Sequence, residues 1–99
     1  MNAREVCEGL CLYLGYGRSA WPYADEAILS ERFGPVRGAV VREAVEEILA
    51  VLNAVETDWS ALDLPAAAQR AAQQTRERYP FLDAQALAAL AWKYSFDWQ

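Results

Sequence analysis

Four glutamates are spaced so that they could share a metal ion. Glu5 and Glu8 are three residues apart in the first predicted helix, and Glu43 and Glu46 have the same spacing in the third. Side chains three positions apart lie on one face of a helix, and carboxylate oxygens are ligands that Mg²⁺ prefers. If the two helices face each other, the four carboxylates form a magnesium site.

This arrangement of carboxylates resembles that of the all-α nucleotide pyrophosphatases, and the resemblance is confined to the four glutamates. It implies an alternative function, that of a Mg²⁺-dependent enzyme of that type. However, both pairs occupy the polar faces of their helices, turned away from the predicted core. Glutamates with this spacing are common on any exposed helix. We therefore favour solvated carboxylates and predict no metal site and no cofactor.

The sequence offers few of the residues that other kinds of catalysis need. The chain has no histidine, so a serine or cysteine nucleophile lacks its usual general base. Cys7 and Cys11 lie one turn apart on one helical face, where they are poorly placed for a disulfide and too few for a zinc site. We expect buried, reduced thiols, with Cys7 between the first and third helices. The glycines at Gly15 and Gly17 follow a helix rather than a strand, which argues against a dinucleotide site.

The apolar residues recur at helical spacing and predict an all-α fold, a compact bundle of four to five helices forming one domain over residues 1–99. Glycine and proline mark most of the boundaries. The predicted helices span about 3–14, from 22–24 to 33, 36–55, 65–79, and from 84 towards the carboxyl end. The last residues also alternate between aromatic and polar, as a strand does. No partner strand is predicted, so we favour a helix there.

The third and fourth predicted helices differ in the surface that they offer for packing. Apolar residues cover more than half the circumference of the third helix, so we expect it to be central and to contact several neighbours. The fourth helix offers a stripe of small residues and should approach its neighbour closely. The stripe consists of Ala67, Ala68, Ala71, Ala72 and Thr75.

The charge distribution limits the class of partner. The formal net charge is −5, which disfavours nucleic acid and anionic membranes. The apolar runs are too short to span a membrane, and a cytoplasmic protein is expected. No basic residue lies between Glu43 and Asp63, a stretch with six acidic residues. The acidic residues that we assign to a basic protein partner are Glu43, Glu46, Glu47, Glu56 and Asp58, although a solvated face is the common explanation of such a run.

Aromatic residues give the other signal of binding. On a helix, Trp92 and Phe96 lie one turn apart and nearly opposite the stripe that contains Tyr94. Either the loop of Trp21, Pro22 and Tyr23 covers them, or they meet another protein chain. Tryptophan and tyrosine are enriched at binding hot spots. We favour the interface and assign Trp21, Tyr23, Trp92 and Phe96 to it.

Together these features predict a non-catalytic protein-binding module. By analogy of size and charge with bacterial immunity proteins, we expect a small acidic inhibitor that occludes a basic protein partner. Two alternatives stay open, the Mg²⁺-dependent enzyme described above and a structural protein that forms a homodimer through its aromatic residues.

Overall fold

Five helices form most of the backbone that the structure describes. The computed structural model describes residues 2–22 and 24–98, and these two ranges contain no strand. The helices are α1 Ala3–Leu14, α2 Glu26–Phe33, α3 Pro35–Asn53, α4 Leu64–Arg78 and α5 Ala84–Asp97. The prediction of an all-α bundle of four to five helices is confirmed. The aromatic end of the chain is helical as far as Asp97, rather than a strand.

Side-chain caps explain where three of these helices begin. The side chain of Asn2 accepts a hydrogen bond from the backbone N–H of Arg4 at 2.9 Å. Asp63 and Asp83 each accept one from the N–H three residues ahead, at 3.0 and 2.8 Å. Such a cap satisfies an amide that has no partner inside the helix. At the other end of α1, Gly15 adopts a left-handed conformation with φ of 75° and stops the helix.

α2 begins later than its sequence predicts. The pattern places the start at residues 22–24, but the first helical residue is Glu26. The side chain of Asp25 caps the helix by accepting from the N–H of Ile28 at 3.3 Å. The backbone N–H of Asp25 also donates to the carbonyl of Tyr13 at 3.0 Å. This hydrogen bond to the end of α1 holds Asp25 in place with an extended backbone. The helix therefore starts only after Asp25.

α3 is the central helix, in agreement with its broad apolar surface, and it contacts each of the other four helices. The most extensive contacts join the consecutive pairs α2–α3 and α4–α5. α1 packs against α2, α3 and α5, so it connects the two pairs. Burial of each large aliphatic side chain in this core contributes roughly 1.5–3 kcal/mol. The fully enclosed side chains include Val6, Leu10, Val45, Ile48, Leu52, Leu90 and Tyr94.

Small residues set the closest helix approaches. A Cβ added at Gly38 would lie 2.7 Å from the carbonyl oxygen of Leu29 and 2.9 Å from the Cα of Ser30, both in the backbone of α2. A Cβ added at Gly9 in α1 would overlap Cγ1 of Val41 in α3. α4 makes its most extensive contacts with α5, which agrees with the close packing predicted from its small residues. Its buried residues are Ala67, Ala68, Ala71, Ala72 and Thr75.

α3 keeps part of its apolar surface uncovered. Val40, part of the broad apolar surface of the helix, is 47% exposed, and Val36 is 78% exposed. Val51 and Val55 are only half-buried, and the helix ends at Asn53, before the predicted end. The contacts between α3 and α4 are much less extensive than those between α4 and α5. An apolar strip at the carboxyl end of α3 therefore stays open to solvent.

Candidate protein-binding surface

The two glutamates of α1 are engaged in ion pairs. The carboxylate of Glu8 lies 2.6 Å from Nε of Arg32, and Glu5 pairs with Arg37. Across residues 2–22 and 24–98, no three His, Cys, Asp or Glu side chains lie together in a way that could hold a metal ion. The four glutamates of the magnesium hypothesis therefore do not converge on one point.

The two thiols are poorly suited to nucleophilic chemistry. Burial is the main cause that raises the pKa of Cys7, and burial together with the negative charge of Asp83 raises the pKa of Cys11 to about 11. Cys7 is buried, as predicted, and the hydrogen bond of its thiol is made outside the α1–α3 interface in which it was expected. Its Sγ donates to the carbonyl oxygen of Phe81 at 3.6 Å, in the connection before α5. α1 packs on both α3 and α5, and the sequence pattern does not separate these two faces.

We expect slow and strongly pH-dependent modification of the thiols in the folded protein. The thiolate is the reactive form. A pKa of about 11 instead of 9.0 for Cys11 lowers its thiolate fraction at neutral pH by about 100-fold, since each unit is a factor of about ten. Because folding raises this pKa, its contribution to stability is complete below the unfolded pKa and is lost as the pH rises from 9.0 towards 11.

The measurement is the rate of reaction with a disulfide reagent as a function of pH, for single-cysteine variants in native and unfolded states. The native rate should continue to increase above the pH at which the unfolded rate levels off. Equal rates in both states would show that the side of α1 that carries Cys7 and Cys11 is open to solvent.

Three of the predicted partner-binding glutamates lie exposed on α3, and we call them the acidic ridge: Glu43, Glu46 and Glu47. Two of them also accept hydrogen bonds from tyrosines of neighbouring segments. The hydroxyl of Tyr13 donates to Glu46 at 3.4 Å, and that of Tyr79 donates to Glu47 at 2.9 Å. Burial, the hydrogen bond to Glu47 and the charge of Glu47 raise the pKa of Tyr79. The ridge is thus fixed to the bundle at two points.

The other two predicted acidic residues lie in the connection between α3 and α4. Asp58 has a local structural role, because its carboxylate accepts from the backbone N–H of Ser60 at 3.0 Å and from its hydroxyl at 2.5 Å. These hydrogen bonds lower the pKa of Asp58. The carbonyl oxygen of Glu56 accepts from Arg70 at 2.8 Å, which ties the connection to α4. The carboxylate of Glu56 borders a groove.

This groove, of about 500 Å³, lies between α3 and α4. Its floor is the open apolar strip, formed by Ala50 and Val51 of α3 and by Ala54 and Val55 directly after the helix. Its rim carries the polar side chains of Glu47, Glu56, Gln74, Glu77 and Arg78. We call this feature the α3–α4 groove. It joins one residue of the acidic ridge to a surface that can bind an apolar group.

Most of the α3–α4 groove cannot be predicted from the sequence. Val51 and Val55 extend the broad apolar surface of α3, which is expected to be covered by neighbouring helices. One signal for the groove is present in the sequence. Ala50 and Ala54 are four residues apart beside these valines, so the side chains on this side of the chain are apolar but small. Glu77 of α4 gives no such signal, since only the packing of the two helices brings it to the rim.

The aromatic residues assigned to an interface differ in exposure. Trp21 is 63% exposed and Phe96 is 37% exposed, while Trp92 is half-buried. The ring of Trp92 makes an edge contact with Tyr16, at 5.5 Å between centroids, and another with Phe96 at 5.7 Å. The residue that partly covers Trp92 is thus Tyr16, at the start of the predicted loop. Tyr23 lies outside the described residues.

A second aromatic cluster covers the end of α5. The ring of Trp59 stacks on Tyr94 at 6.4 Å and lies 5.7 Å from Trp98. The hydroxyl of Tyr94 shares a hydrogen bond with Thr57. This cluster binds the α3–α4 connection to α5, although Trp59 and Trp98 are still 43% and 51% exposed. Trp59 thus folds over an end of the bundle.

Neither the known protein families, nor the curated proteins, nor the solved structures include a match to this chain. Within the described residues, each helix is too short or too polar to cross a lipid bilayer.

Proposed function

We propose that this chain is a non-catalytic protein-binding module, a small acidic inhibitor of the immunity type that occludes a basic protein partner. The observation that carries the proposal is the acidic ridge, three exposed carboxylates on the helix that contacts all the others. A helix held on several sides presents its charges in fixed positions, so little ordering entropy is lost on binding. The absence of basic residues from Glu43 to Asp63 keeps the potential of this region negative.

The fixed ridge favours fast association with a positively charged surface. Complementary charges steer diffusional encounter and raise association rates, mainly at low ionic strength. Glu46 lies 3.8 Å from Arg42 and is partly neutralised by it. For Glu43, no ion-pair partner lies in residues 2–22 or 24–98. Glu43 is therefore the ridge position whose charge is most available to a partner.

Charge reversal at Glu43 or Glu56 should slow association with the partner by up to about tenfold at low salt. Both side chains are exposed, so the free energy of unfolding should change by less than about 0.5 kcal/mol. Reversal of Glu46 or Glu47 is less informative, because it also removes a hydrogen bond from a tyrosine. The measurement is stopped-flow association with the purified partner, isolated first by crosslinking to the wild-type chain, at several salt concentrations.

Glu31→Lys in α2 is the matched control, because Glu31 is also exposed and the change in net charge is the same. We expect this variant to associate at nearly the wild-type rate and to keep the wild-type salt dependence. If all three reversals have equal effects, only the net charge matters. The acidic ridge is then not the binding surface.

A further inference from the structure

The α3–α4 groove is long enough to hold part of a helix. It extends from Glu47 in α3 to Val55, just past the end of that helix at Asn53. At 1.5 Å per residue its helical part spans about 9 Å, which is between one and two helical turns. Its volume of about 500 Å³ is open to solvent along one side, so a segment of another chain can enter it without a rearrangement of the bundle. An amphipathic helix presents anchors at this spacing when it binds in a groove.

The charges on the rim define the kind of helix that fits. Glu47, Glu56 and Glu77 outnumber Arg78 there. Among the described residues, neither Glu56 nor Glu77 has an ion-pair partner within 4.0 Å. Carboxylates without a counter-charge attract ammonium and guanidinium groups and repel anionic ligands. Charge complementarity therefore selects a cationic occupant, with apolar side chains for the floor.

We infer that the α3–α4 groove is the docking site for a basic amphipathic helix of the protein partner. The apolar stripe of that helix packs against Ala50, Val51 and Ala54, and its lysines or arginines lie against the acidic rim. This inference rests on the proposed function, and it adds where the partner is held and by what kind of segment. The floor and rim come mainly from two helices packed into one core, so binding requires little rearrangement.

The test uses synthetic helical peptides of about 18 residues, long enough to form a helix on binding. The first peptide has a leucine stripe on one face and lysines on the other. The second has the same composition, but its leucines are distributed around the helix. The third has glutamate in place of every lysine. Binding is measured by fluorescence anisotropy of labelled peptide, and the site is located by amide chemical-shift changes.

Two variants test the groove itself. Ala50→Phe fills the floor at an exposed position, and Ala39→Phe makes the same change at an exposed position of α3 outside the groove. Ala50→Phe should weaken binding of the striped peptide by about tenfold or more, while Ala39→Phe should not change it. Glu77→Lys should weaken binding and reduce its salt dependence. Circular dichroism melts confirm that all three variants are folded.

The outcomes separate this inference from the proposed function. If the striped peptide binds about tenfold more tightly than the peptide with distributed leucines, and Ala50→Phe removes this difference, the groove is supported as the docking site. Equal binding of both lysine peptides overturns the inference that the groove is the docking site. The proposed function still stands in that case if Glu43→Lys slows association with the partner. If the wild-type chain sediments as a dimer that Ala50→Phe dissociates, a second copy occupies the groove and the inference is wrong. Failure of the striped peptide to bind also overturns it.

Discussion

Replacement of Gly38 by alanine is expected to lower the free energy of unfolding by roughly 1–2 kcal/mol. The added Cβ would lie 2.7 Å from the carbonyl oxygen of Leu29 and 2.9 Å from its carbonyl carbon. Alanine improves helix propensity by about 1 kcal/mol over glycine, but overpacking against backbone costs more, typically about 1–3 kcal/mol and sometimes above that. α2 and α3 can relieve the overlap only by moving apart. The measurement is urea unfolding followed by circular dichroism.

Gly9→Ala is the matched comparison, because its added Cβ meets a side chain rather than backbone. The overlapping atom is Cγ1 of Val41, and the next contacts, with Leu29 and Phe33, are at ordinary distances of 3.5 and 3.7 Å. Trimming the valine should relieve this overlap, so Gly9→Ala with Val41→Ala should be more stable than the sum of the single effects. No side-chain truncation can relieve the overlap in Gly38→Ala, because its added Cβ meets backbone atoms. A stable Gly38→Ala variant would show that α2 can shift at no cost.

Local signals in the sequence are sufficient to place most of the helices. Asn2 before α1 and Asp83 before α5 are residue types that favour a helix start, and both act as caps, while Gly15 ends α1. The start of α2 is different, because it depends on a hydrogen bond between Asp25 and Tyr13 that joins two segments of the fold. A pattern read along the chain does not contain that contact. The same limit applies to Cys7, whose thiol contacts the carbonyl oxygen of Phe81 in the connection before α5.

The candidate site could be predicted only in part, for a related reason. The exposure of Glu43, Glu46 and Glu47 follows from helical periodicity alone. The groove beside them depends on how far α3 and α4 stand apart, and this distance is set by packing elsewhere, chiefly the close contact of α4 with α5. Apolar periodicity indicates that a surface is available for burial. It does not indicate whether a neighbour covers that surface.

The aromatic end of α5 now divides into a packed residue and an exposed one. Trp92 is half-buried and contacts Tyr16 across one edge, and it also borders a smaller groove between α4 and α5. Phe96, one turn further on, is 37% exposed and contacts the ring of Trp92. A packed ring contributes to stability, whereas an exposed ring is free to contact a partner. The two residues should therefore respond differently to truncation.

Trp92→Ala should lower the free energy of unfolding by roughly 3 kcal/mol, and Phe96→Ala, at a side chain that is 37% exposed, by roughly 2 kcal/mol. Full truncation of a buried aromatic residue costs about 3–5 kcal/mol, and the expected losses are reduced in proportion to exposure. Part of the Trp92 effect comes from its edge contact with Tyr16. A double-mutant cycle between Tyr16→Ala and Trp92→Ala should give a coupling of about 1 kcal/mol.

Association measurements decide whether Phe96 belongs to an interface. Phe96→Ala should stay folded and lose less stability than Trp92→Ala, and if this ring anchors a partner or a second copy, the variant should lose that association. Trp92→Phe serves as the control, because it keeps an aromatic ring at the packed position and should recover much of the stability lost in Trp92→Ala. An equal loss of stability in Trp92→Ala and Phe96→Ala would contradict this division. The end of α5 would then act as one packed unit, and the interface role predicted for Phe96 would be wrong.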